Sequence, residues 1–264
     1  MSRRPEPPAE PRSQVTPEAD CELCDGAGEL WFTPQGERVP QSAAAPDLAM
    51  RVCDCVVRRV AKRRSRRVWA QLPGELEQAS FDRNPIPLMP AEHTAAARSY
   101  AENVRERVEA GEGLWLQGGV GTGKTTVAAA VAVRARYAGL SFAFWRHSQL
   151  LQHVRTQAFQ LDRPERTVLA DFAAVDLLVI DDLGGDKSTD WGQQTLCDLL
   201  DMRIDAALPV VVTTNFGEAA LREHIGERAL SRLYELAGLP HVFEGEDHRR
   251  LKAVEARAAR QHAA

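Results

Sequence analysis

The chain has 264 residues, 44% hydrophobic and 27% charged, with a formal net charge of −4. That length fits one domain of roughly 180–200 residues plus an appendage. No apolar run reaches the roughly 18 residues of a membrane span, and the net charge excludes a globally basic nucleic-acid binder. Residues 1–19 are rich in Pro, Glu and Arg without apolar periodicity, which predicts disorder. They hold no apolar core of the secretory kind, so a cytoplasmic location is expected.

Residues 20–56 carry Cys21, Cys24, Cys53 and Cys55, with Trp31 and Phe32 between the pairs. A C-x2-C pair on a Gly-containing knuckle is half of a structural zinc site. Gly26 and Gly28 permit the turn that aims backbone N–H groups at sulfur. Four thiolates would close a tetrahedral Zn2+ site and supply folding energy that so small a segment lacks. The second pair is C-x-C, a departure from the usual spacing, and disulfides are the competing reading, disfavoured in the cytosol. The next stretch, 57–78, reads as a linker helix, with seven basic side chains among residues 58–67. Such a run suits a phosphate backbone, an acidic partner, or plain solvation.

The domain from 79 to 264 opens with Ser80-Phe81, a Pro-rich turn and a predicted helix over 91–110. Strands and helices then alternate. Strands are predicted at 113–117, 141–145, 176–181, 209–213 and 241–243, and helices at 126–137, 148–159, 189–207, 217–223, 227–237 and from Asp247 onward. This alternation specifies an α/β fold with a parallel sheet covered by helices.

Between the first strand and its helix lies GGVGTGKT: Gly118, Gly119, Val120, Gly121, Thr122, Gly123, Lys124, Thr125, followed by Thr126. The glycines let backbone N–H groups wrap the phosphates of ATP. Lys124 brings charge to the terminal phosphates and Thr125 offers a hydroxyl to Mg2+. LLVIDDLG at 177–184 ends a buried strand in two acids, which delivers them to the sheet edge where the phosphate loop sits. Asp181 would hold Mg2+, and Asp182 would orient or deprotonate the attacking water. VVVTTN at 210–215 brings Asn215 to the same edge, in reach of the γ-phosphate or the lytic water. Arg228 and Arg232 lie four apart on one predicted helix, and Arg249 and Arg250 open the last. Cys197, inside an amphipathic helix, is expected to be core.

Four features in this order resemble the AAA+ ATPases of the bacterial helicase-loader group, DnaC and DnaI, and the related IstB transposition helpers. They are GGVGTGKT, VIDDLG with Thr189-Asp190-Trp191 after it, VVVTTNF, and GERALSRL with GEDHR, and the resemblance covers about residues 79–255. It implies an AAA+ P-loop NTPase with sheet order 5-1-4-3-2. It implies that Asn215 serves as sensor 1, Arg232 as an arginine finger reaching a neighbouring subunit, and Arg249 as sensor 2. By the same token Ser80-Phe81 runs close to the adenine, and Arg203 faces the subunit interface. The base is Asp182 rather than the Glu common in the wider class, and its shorter side chain suits slow hydrolysis. The implied function is ATP-driven helicase loading in DNA replication, with single-stranded DNA and a replicative hexameric helicase as partners, homo-oligomerisation on ATP binding, and no membrane. The alternative is an ATPase that binds target DNA and recruits a transposase. A zinc-containing DNA-binding adaptor with a vestigial nucleotide fold is a third reading, opposed by the intact Lys124, Thr125, Asp181 and Asp182.

Overall fold

The structure is a computed structural model and describes residues 21–24, 27–45, 47–53, 55, 72–185 and 189–245. The expectations for residues 1–19, the basic run 58–67, and the last helix with Arg249 and Arg250 lie outside those residues. The chain divides into two compact units, Met1–Arg63 and Arg64–Ala264.

In the first unit, β1 (Glu29–Phe32), β2 (Arg38–Val39) and β3 (Ala49–Val52) form an antiparallel sheet in the order β2-β1-β3. The sequence reading left these strands out. Two to four residues each, half or fully exposed, they lack the apolar alternation that announces a strand. The buried cluster among its described residues is the four cysteines, with Leu30 packed against them. A core this small cannot offset the entropy of ordering the chain.

The second unit is a three-layer sandwich. Its five parallel strands are β4 (Leu114–Gly118), β5 (Phe142–Arg146), β6 (Leu177–Asp181), β7 (Val210–Thr214) and β8 (His241–Phe243), ordered β5-β6-β7-β4-β8. Counted within this sheet, that is the 5-1-4-3-2 order the resemblance implies. The central strands β6 and β7 are buried along their whole length, as continuous apolar runs require when both faces are covered. One face carries Leu114, Leu116, Phe144, Val179 and Val211 and packs beneath α1 (Ala91–Glu102), α2 (Val104–Glu109) and α3 (Lys124–Tyr137). The other carries Trp115, Trp145, Ile180 and Val212. It packs beneath α4 (His147–Phe159), α5 (Glu165–Ala173), α6 (Asp190–Asp205), α7 (Glu218–Ile225) and α8 (Glu227–Ala237).

Three details depart from the sequence reading. The helix expected over 91–110 breaks at Asn103, whose backbone leaves the helical region (φ −110°, ψ 28°) and whose side-chain amide donates to the Ser99 carbonyl. Helix α5 was not anticipated. Arg203, which the resemblance places at a subunit interface, is fully buried. Its guanidinium donates to the carbonyls of Phe172, Ala173, Val175, Asp176 and Pro209, fastening the end of α5 to the starts of β6 and β7. Burial pulls its pKa down to about 9, so it stays charged at neutral pH. The five carbonyls replace the water it has lost.

Candidate functional site

Strand β4 ends at Gly118, and α3 begins at Lys124. The loop between them depends on glycine. Gly123, the residue before the helix, sits at φ +93°, a left-handed conformation that costs other residues strain. At Gly118 a Cβ would lie 2.1 Å from the Phe243 carbonyl, so only glycine lets β8 pass this close. Helix α3 directs its free N–H groups and the positive end of its dipole at the loop. The Lys124 ammonium folds back over the loop and donates to the carbonyls of Gly118 (2.8 Å) and Gly119 (2.6 Å) and to the Thr122 hydroxyl (3.3 Å). A cation that gathers this many oxygens is placed to exchange them for phosphate oxygens.

The strand ends next to it are laced by hydroxyls. Asp181 Oδ1 accepts from Thr125 Oγ1 at 2.9 Å and from Thr213 Oγ1 at 2.7 Å. Thr213 Oγ1 in turn accepts from the Asp182 backbone N–H at 2.9 Å, and Thr214 Oγ1 donates to the Leu183 carbonyl at 2.8 Å. Asp182 adopts φ +56°, a sparsely populated region that Asp tolerates better than most residues. Its carboxylate accepts from Asn215 Nδ2 at 2.9 Å. Burial lifts the Asp181 carboxyl above its ordinary value; the two hydroxyls and Arg146 oppose the shift, and the charge of Asp182 adds to it. A buried carboxylate raised in this way, with a hydroxyl beside it, is a hard-oxygen donor set of the kind Mg2+ selects.

These groups line a cleft of about 920 Å³, within the range of roughly 300–1,000 Å³ usual for ligand sites. Val120, Gly121, Gly123, Lys124, Thr125 and Thr126 form one wall, and Asp181, Asp182, Thr213 and Asn215 form the floor. Gln78, Ser80, Arg83, Asn84 and Met89 close the far end. Of the Ser80-Phe81 pair, only Ser80 reaches the cleft. Phe81 is buried in the core under the Arg98 guanidinium, 5.2 Å from its ring centroid.

Two residues at the site escaped the sequence reading. Thr213 looks like one more β-branched strand residue, yet its hydroxyl bridges both acids. Arg146 ends β5 in register with Asp181, its Nε 4.0 Å from Asp181 Oδ2. The signal was a lone charge closing the apolar run Phe142–Trp145, which puts it at the same sheet edge as the acids.

Arg232 does not line the cleft. It lies on α8, pairs with Asp201 of α6, and has Glu235 Oε2 3.4 Å from Nη1. Arg228 lies on the same helix and is exposed. Cys197 is buried, as expected, with its thiol 3.9 Å from Asp201 Oδ2.

In the first unit, the Sγ atoms of Cys21, Cys24, Cys53 and Cys55 all lie within 4.8 Å of one another. Cys21–Cys53 and Cys24–Cys55 are 3.8 and 3.5 Å apart. A tetrahedron with metal–sulfur bonds of about 2.3 Å has sulfur–sulfur edges of about 3.8 Å, whereas a disulfide needs about 2.05 Å. The spacing fits zinc, and all four cysteines are unbridged. Gly28, at φ +80°, turns the chain so that its carbonyl accepts from Cys53 N–H. The backbone N–H of Leu23 draws the Cys21 thiol down to about 7, and burial among sulfurs pushes Cys53 up despite the Cys55 N–H.

Comparison with known proteins places this geometry. The profile of the family described as IstB-like ATP binding protein matches residues 56–240. The replicative helicase loader DnaC of Escherichia coli (strain K12) is 24% identical over 153 residues, 58% of this chain and 61% of that protein. The chain therefore spans about three fifths of the length of the curated relatives it matches. The crystal structure of the DnaC helicase loader superposes on 65% of this chain and 99% of its own, with a TM-score of 0.55 at 23% identity. That of DnaI covers 70% of this chain and 98% of its own, with a TM-score of 0.56 at 24% identity. These likenesses establish the shared AAA+ fold.

Proposed function

This chain belongs to the IstB-like ATP binding protein family, and from that premise we propose that it hydrolyses ATP to load a replicative helicase onto single-stranded DNA. The observation that carries the reading is the union of Lys124, Thr125, Asp181, Asp182 and Asn215 at one sheet edge, in a chain similar to a helicase loader. Lys124 exchanges its loop carbonyls for the β- and γ-phosphate oxygens, and the loop N–H groups complete the cradle. Thr125 and Asp181 would hold Mg2+, which supplies neutralisation of charge on the transferring phosphoryl group. Asp182 orients the attacking water and takes its proton, while Asn215 steers the Asp182 carboxylate. Arg232 reaches the nucleotide of a second copy of the chain, which makes turnover depend on assembly. Arg249 would contact nucleotide within its own subunit.

The four cysteines would hold Zn2+ as a structural ion, and that module would contact the helicase. In this reading residues 20–56 are the zinc module, 57–78 a basic linker, and 79–264 the ATPase domain. The test is reconstitution with the hexameric helicase of the host. Loading onto a single-stranded circle that needs this protein and ATP supports the reading. Failure to bind or stimulate the helicase, with ATP turnover driven by duplex DNA alone, would move the assignment to a transposition helper.

A further inference from the structure

We propose that Asp201 is a positioning residue for Arg232. It holds the Nε edge of the guanidinium, leaving the terminal Nη1/Nη2 edge for phosphate oxygens in a second copy of this chain. The proposal rests on the reading of Arg232 as a residue that acts on a neighbour's nucleotide.

Three observations carry it. First, Arg232 Nε donates to Asp201 Oδ1, while Nη1 has only a long contact of 3.4 Å to Glu235 and Nη2 has no hydrogen-bond partner among the described residues. A guanidinium has five N–H donors, and holding it by Nε leaves the end that pairs bidentately with an oxyanion. Second, the Arg232 side chain is 39% exposed and absent from its own cleft, so it lies at the surface where a second molecule can meet it. Third, Asp201 is a rigid anchor. It follows Leu199 and Leu200, both fully buried, and precedes Arg203, whose five carbonyl bonds pin α6 at this turn. A flexible arginine would lose rotamer freedom each time it met a phosphate. Asp201 removes that loss in advance, so its effect falls on turnover and not on ATP affinity.

Complementation between two inactive variants tests this. Lys124→Ala protomers cannot use their own nucleotide but keep Arg232; Arg232→Ala protomers keep the cleft. Mixed, they are expected to hydrolyse ATP at well above the sum of the separate rates. Adding Asp201→Ala to the Lys124→Ala protomer is expected to lower the complemented kcat roughly tenfold, with KM for ATP unchanged. Asp201→Asn, which keeps the accepting oxygen, is expected to recover most of that loss. A rise in kcat with Asp201→Ala would overturn the proposal, since Asp201 would then be sequestering the arginine. An equal loss with Asp201→Ala on the Arg232→Ala protomer would also overturn it, by revealing an effect on folding. No complementation in the parent mixture removes the trans-acting reading of Arg232, and the role of Asp201 with it.

Discussion

The two compact units build their sites in opposite ways. In residues 64–264, two apolar layers bury both faces of a five-stranded sheet, and the strand ends and the first turn of α3 present Asp181, Asp182, Asn215 and Thr125 at one edge. In the first unit the buried cluster is the four cysteines themselves. There the candidate ligating atoms are the core among the described residues, and a metal bound to them would make the fold. The contrast teaches that a site displayed by a core survives loss of its ligand, while a site that is the core does not.

The largest effect belongs to the cysteines. Cys53→Ser, or stripping of Zn2+ by a chelator, is expected to cost the first unit on the order of 10 kcal/mol of ligation energy. Protection of residues 21–55 from amide exchange should vanish while the melting of the second unit stays unchanged. Loss of both units together would break the distinction. Next comes Arg232→Ala, expected on the proposed role in a neighbour's nucleotide site to lower turnover about 10³-fold, while loss of its exposed ion pair with Asp201 costs little stability. Steady-state ATP hydrolysis with parallel calorimetry checks it.

Asp181→Asn sharpens the distinction from the other side. Burial raises the Asp181 pKa, so its charge costs stability in the nucleotide-free fold. The isosteric amide can still accept from Thr125 and Thr213, and is expected to stabilise the nucleotide-free protein by about 1 kcal/mol, or roughly 2–4 °C. A group with a raised folded pKa contributes most at low pH and loses that contribution as pH rises through the folded value. The advantage of the variant should therefore be full at neutral pH and fade toward 3.8, the ordinary Asp value. With Mg2+ and ATP present the order should reverse, because only the wild type gains from the metal. An effect of similar size, remote from the cleft, is expected for Thr189→Ala. Its hydroxyl caps α6 by accepting from Gly192 N–H at 3.2 Å, and its loss should cost about 1 kcal/mol of thermal stability.

How much was legible in the sequence follows the same divide. The β6 and β7 strands open on apolar runs, residues 177–180 and 210–212, and are flanked by turn residues, so the strands fell within a residue of their predicted bounds. The glycine-rich loop at 118–125 and the acids Asp181 and Asp182 fell at the predicted sheet edge because the glycines demand a strand-to-helix turn and the acids close an apolar strand. Helix α5 was missed since its nine residues open with Glu165 and Arg166 and show a short apolar face at Val168, Leu169, Phe172 and Ala173. Arg203 was misplaced because a charge on an amphipathic helix reads as surface, and nothing local signals five carbonyls converging on it. Phe81 likewise turned inward, under Arg98, a contact made by a residue 17 positions away. The sheet of the first unit was hidden because its strands bury so little, whereas the cysteine spacing was plain.

The measurement that bears most directly on the central claim is ATP turnover as a function of protein concentration, with no DNA, single-stranded DNA or duplex DNA. Turnover per protomer is expected to rise with concentration, to be stimulated by single strands, and to disappear in Lys124→Ala and Arg232→Ala. Turnover that stays proportional to concentration and survives Arg232→Ala would contradict it.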